Sequence, residues 1–175
     1  MNDRDVVRAL IAEIKTQLGI YGLLSSDIYV GRANQPTRQN AGAKLYNVYL
    51  SPVSNTDIGW GRYRVDGGTK VTHTKQKSYQ INTVTDYDHV NDVGMPAQDL
   101  AHVVHDMLEH PDAIQSLLGE GVNVMRCTDV RPLYWMNEQD EYEPMPSFDI
   151  VVNYSESYVK PSPYVTEVTG TLEQV

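Results

Sequence analysis

A chain of 175 residues, 41% hydrophobic and 21% charged, suits one domain with its own core rather than two small ones. The formal charge of −9 disfavours tight wrapping of nucleic acid, although a wide ring through which DNA slides without sticking tolerates that sign. A single cysteine, Cys127, excludes an internal disulfide framework or a thiolate zinc site, and no apolar run approaches a membrane span.

The opening residues, Met1 to Asp5, do not read as a signal peptide, which gives an intracellular expectation. Over residues 3–18, Val6, Val7, Leu10, Ile11, Ile14 and Leu18 recur at spacings of three and four, the stripe of an amphipathic helix. Asn2 or Asp3 can cap it, and Gly19 offers a stop. A strand follows from Asp27 to Gly31. The polar segment RANQPTRQNAGA, from Arg32 to Ala43, is then a loop long enough to suggest a binding role.

Lys44 to Ser51 (KLYNVYLS) is a strand, and a shorter one around Trp60 to Val65 precedes a turn at Gly67-Gly68. Lys70 to Tyr87 carries the longest β signal. Its apolar members, Tyr79 and Ile81, gather at one end, so the other end reads as a solvated hairpin arm reaching beyond the core. Ala97 to Glu109 is a second helix, with Leu100, Val103, Val104, Met107 and Leu108 as its buried stripe. Pro111 follows its end, and a short helical turn runs from Asp112 to Leu118.

Val122 to Pro132 and Phe148 to Ser155 read as strands joined by the acidic stretch NEQDEYEPMPS. The expected fold is α+β: a single, largely antiparallel (mixed) sheet with two main helices packed on one face. Residues 1–157 form the domain, and 158–175 an extended C-terminal tail able to pack on a neighbouring subunit.

Chemistry-bearing constellations are weak. His102, His105 and Asp106 lie on one helix and could serve a small metal-dependent hydrolase, yet the apolar stripe turns His102, Asp106 and Glu109 towards solvent. Asp86, Asp88, His89 and Asp92 lack the glycine and terminal glutamate of a calcium loop. Cys127 sits in an alternating strand as a small core residue, and no GxSxG elbow exists. No catalytic residue, metal ligand or cofactor is expected.

Assembly features are stronger. Twelve Tyr against one Phe suit half-wet sheet faces and subunit contacts, since each ring carries a polar tip. Basic residues gather in the N-terminal half, opposite the acidic run from Glu138 to Glu143, and such poles favour head-to-tail contacts that close into rings. The candidate interface residues are Arg32, Arg38, Trp60, Arg62, Arg64, Lys70, Lys75, Lys77, Tyr158 and Tyr164, chosen for the polarity or extension of their segments.

The helix DVVRALIAEIKTQL, the strand QKSYQINTVTDY, the run AQDLAHVVHDMLEHPDAIQSLLGEGVNVMRCTDVRPL and the closing strand SFDIVVNYSESY together resemble, in order and pattern, the phage neck or tail terminator proteins. The resemblance implies a non-enzymatic virion subunit, assembled in the host cytoplasm. It implies a homo-oligomeric ring, commonly a hexamer, that caps the tail tube protein and faces head–tail connector or stopper proteins, with DNA only passing through its lumen. A connector or stopper role, or a tail tube subunit, remains open.

Overall fold

The computed structural model describes residues 1–23, 26–30, 46–66, 68–85, 94–136 and 142–161. Its elements are α1 (Asp3–Ile20), β1 (Ser26–Val30), β2 (Tyr46–Val65), β3 (Gly68–Thr85), α2 (Ala97–Glu109), α3 (Pro111–Gly119), β4 (Val122–Cys127), β5 (Tyr134–Met136), β6 (Tyr142–Pro144) and β7 (Ser147–Pro161). The architecture is the expected α+β arrangement. A five-stranded sheet of order β1-β2-β3-β7-β4 is antiparallel except for the parallel β1–β2 pair, and β5–β6 form a separate hairpin.

Helix α1 begins on a capping box. The Asn2 side chain accepts from the N–H groups of Arg4 and Asp5 at 3.0 and 3.1 Å, and Asp5 accepts from the Asn2 N–H at 3.0 Å. Its stop is Gly22 rather than Gly19. Gly22 adopts φ +76°, which lets its N–H reach Gly19 O at 3.1 Å while the Leu23 N–H reaches Leu18 O at 2.8 Å. That double closure needs a left-handed residue, so the helix runs through Gly19 to the next glycine.

One face of the sheet meets all three helices. Val6, Leu10, Ile14 and Leu18 of α1, Leu100, Val104, Met107 and Leu108 of α2, and Leu117 of α3 are buried against Val48, Leu50, Tyr79, Ile81, Phe148, Ile150 and Val152. These strand residues alternate along the chain, as the two-residue period of a strand requires. The short turn foreseen at 112–118 is α3, with Pro111 in its first turn and the His110 imidazole accepting from the Asp112 N–H at 3.3 Å. On the reverse face Tyr49 and Val84 form a small cluster with Met145.

The chain departs from its sequence pattern in three places. β2 is one strand rather than two, absorbing Pro52 and the polar run after it through register shifts at Val53 and Ile58. β1 pairs only with Tyr46 to Leu50, so beyond that point β2 is an edge among the described strands, where proline and bulges are tolerated. β4 stops at Cys127, short of Pro132, although the Arg131–Ser147 bridge keeps the following segment beside β7. β7 continues through Pro161, pairing Tyr158, Val159, Lys160 and Pro161 with Val71, Lys70, Thr69 and Gly68. Residues 158–161 therefore belong to the sheet, and 162–175 lie outside the described residues.

Candidate subunit interface

From Tyr46 to Ser51 six consecutive β2 residues are buried, and from Pro52 onwards the strand is exposed on both faces. There the helix layer ends and the sheet goes on. Three strands, the distal part of β2, the first part of β3 and the end of β7, form an arm that runs about 30 Å beyond Lys77 at roughly 3.3 Å per residue. The arm foreseen as a hairpin is thus three-stranded, with β3 at its centre.

Residues paired across antiparallel strands share a face. One face carries Trp60 opposite His73, Arg62 opposite Val71 and Arg64 opposite Thr69, with Glu156, Tyr158 and Lys160 aligned on β7. It continues the face that holds the core. Here only Val71 is buried, sheltered by its cross-strand neighbours. His73 stacks on Tyr158 with ring centroids 6.1 Å apart, and the Arg62 guanidinium lies 4.9 Å from the Trp60 ring centroid. Trp60 is nevertheless 67% exposed and Tyr158 53%. On the other face Lys70 sits 5.9 Å from the Tyr63 ring, and the Tyr63 hydroxyl shares a 2.7 Å hydrogen bond with Thr72.

At the root of the arm a polar knot ties it to the start of α1. Lys77 is 8% exposed and donates to Asp3 at 2.6 Å, and the Tyr154 hydroxyl also donates to Asp3. The Lys77 ammonium lies 5.5 Å from the Tyr79 ring. The hydrogen bond from Lys77, then that from Tyr154, holds the Asp3 carboxyl below the usual carboxylate range. Burial, followed by the bond to Asp3, pushes the Tyr154 phenol up. One residue pair further out, Lys75 donates to Glu156 at 2.5 Å, and that bond raises the lysine pKa.

The candidate residues therefore separate. Trp60, Arg62, Arg64 and Tyr158 stand exposed on one face of the arm, while Lys70 lies on the other. Lys75 shares the first face but meets Glu156, and Lys77 is buried against Asp3, so both have partners within the chain. Arg32, Arg38 and Tyr164 lie outside the described residues. Asp3, Tyr154, Glu156 and His73 were not among the interface candidates, since nothing in the sequence marks a contact between residues 3 and 77.

Elsewhere, His102 and Asp106 face outward on α2, whereas His105 lies edge-on to Phe148 with centroids 5.3 Å apart. Among the described residues no group of three His, Cys, Asp or Glu side chains could hold a metal ion, and no helix is long and apolar enough to cross a membrane. Cys127 is half-buried beside the core, and burial pushes its thiol up to about 12. The native thiol will react with a disulfide reagent at pH 8 at least about two orders of magnitude more slowly than in urea, measured by absorbance.

No curated protein matches the chain. A family model described as E217 gateway protein gp29 matches residues 5–164, which takes in every described element but the first residues of α1. The arm and the helix-covered sheet fall inside that match, and the chain belongs to this family of phage structural gateway proteins, which makes it a virion component of the head–tail connector type.

Proposed function

We propose that this chain is a non-enzymatic ring subunit of the phage neck, built as a hexamer, that ends tail tube polymerisation and joins the tail to the head connector. The supporting observation is the arm. A three-stranded extension that buries one apolar side chain and displays Trp60, Arg62, Arg64 and Tyr158 adds little to a lone domain, whereas it suits a neighbour. Its cationic face and the acidic remainder of the chain are opposite poles of the kind that close into rings. The gateway description of the family favours a second reading, in which the ring is a connector or stopper rather than the terminator itself.

Light scattering over a concentration series, with negative-stain imaging, tests the proposal. Single rings that do not stack are the expected result, and binding to the ends of tail tubes then separates terminator from connector. Long stacked polymers would make the chain a tube subunit, and a monomer that neither assembles nor caps tubes would overturn the proposal. Truncation after Pro161 leaves β7 and the arm whole. If the segment 162–175 crosses to the next subunit, as the extended-tail reading has it, the truncated protein keeps its melting temperature and loses ring formation.

A further inference from the structure

On the outside of the helix layer, α1 and α3 enclose a groove of about 620 Å³, within the size range of ligand pockets. Its walls include the small side chains of Ala9, Ala12 and Ser116, so it is open where most helix pairs interdigitate. Its acidic side chains, Asp5, Glu13 and Glu120, outnumber its one basic side chain, Arg8, which lies 3.9 Å from Asp5, and Met1 with the chain's ammonium completes the lining. Glu13 is 6% exposed and fixed in place, accepting from Gln17 at 2.7 Å and from Ser116 at 2.6 Å.

The arm carries the complement. An indole with a guanidinium stacked on it is an apolar plate with a cationic face, flanked by Arg64 and Lys160. Among the described residues none of these three cations meets a carboxylate. Trp60 of the same chain cannot fill the groove. It pairs with His73, four residues and roughly 13 Å beyond Lys77 on β3, whose unbroken pairing with β7 keeps the arm from folding back.

We propose that the Trp60–Arg62 face of the arm seats in the α1–α3 groove of a second copy of this chain. The contact is head-to-tail, because the arm and the groove are different surfaces. Burying the indole removes a large exposed ring from water, and Arg62 then faces the carboxylates of the rim. This inference rests on the ring reading above and specifies its contact.

Disulfide trapping tests it. In a Cys127→Ser background, Thr69→Cys, on the same face of the arm, and Ala12→Cys are combined so that Trp60 and Arg62 stay in place, the protein is oxidised at assembling concentration, and covalent species are resolved on a non-reducing gel. A ladder of multimers is expected, absent when Asp106→Cys on α2 replaces Ala12→Cys. Arg62→Glu should raise the concentration for half-assembly by about tenfold or more, and Glu120→Arg added to it should restore much of the loss. Rings without a ladder, or an equal ladder from the control pair, would overturn the contact and leave the ring reading standing. Absence of assembly together with absence of a ladder would overturn both. A wild-type shift of duplex DNA that Arg62→Glu abolishes, with assembly unchanged, would assign the arm to DNA and sink the inference.

Discussion

Lys77→Ala will lower the melting temperature at neutral pH by roughly 5–10 °C, the equivalent of about 2–3 kcal/mol in a protein of this size. The substitution takes away the ammonium that meets Asp3 and lies near the Tyr79 ring, together with a buried aliphatic stem. Removing one partner of a fully buried ion pair costs about 3–5 kcal/mol, and the figure here is smaller because the Asp3 side chain is 50% exposed. The loss depends on pH in a defined direction. The Asp3 carboxyl titrates below its unfolded value in the native protein, chiefly through the Lys77 hydrogen bond. Its stabilising contribution is complete above about pH 5, where the unfolded carboxyl is almost fully ionised, and disappears as pH falls through the lowered native value. The gap between wild type and Lys77→Ala should therefore narrow in acid. Calorimetric scans from pH 7 to pH 2 check this, and a gap that stays constant would detach Lys77 from Asp3. Asp3→Asn should lose less than Lys77→Ala, since it keeps a hydrogen-bonding group in place.

Gly68→Ala should abolish assembly while barely moving the melting temperature. A Cβ at Gly68 would stand 2.3 Å from the carbonyl oxygen of Lys160 and 3.1 Å from the Pro161 Cα, both backbone atoms unable to swing away. The end of β7 must then part from β3, removing the pairs of Gly68 with Pro161 and of Thr69 with Lys160. With them goes the alignment of Lys160 beside Arg64. None of these residues belongs to the main core cluster, so the expected change in melting temperature is below about 3 °C. Gly59→Ala is the control, since a Cβ there meets nothing within 4 Å. Light scattering and calorimetry on both variants separate the two effects, and normal rings from Gly68→Ala would remove the tip of the arm from the interface.

Much of the fold could be read in the chain because each helix writes its buried stripe locally. Val6, Leu10, Ile14 and Leu18, and likewise Leu100, Val104, Met107 and Leu108, need only the 3.6-residue period. The arm was half legible. Lys70 to Lys77 read as a strand beyond the core, but β2 carries Pro52, Asn55 and Asp57, which look like loop chemistry and become strand only because β3 holds them. The end of β7 had no apolar alternation to announce it, and its pairing partner lies far back in the chain. The Asp3–Lys77 contact joins residues 74 positions apart on elements of different type, so neither propensity nor spacing could reveal it. Local pattern likewise says nothing of the α1–α3 groove, which exists only once two helices stand side by side. The same limit hid the β5–β6 hairpin, whose second strand lies in the acidic stretch.

The position of β7 between β3 and β4 also sets an order of events during synthesis. The β2–β3 hairpin leaves the ribosome early, whereas the strand that completes the arm emerges only after both later helices and β4 have been made. Until then Val71 lacks Tyr158 across from it, Lys75 lacks Glu156, and Asp3 lacks the Tyr154 hydroxyl. A half-made chain on a polysome therefore carries a two-stranded arm that lacks Glu156, Tyr158 and Lys160. On the ring contact proposed above, a neighbouring nascent chain would meet only an incomplete arm until translation has passed the last strand.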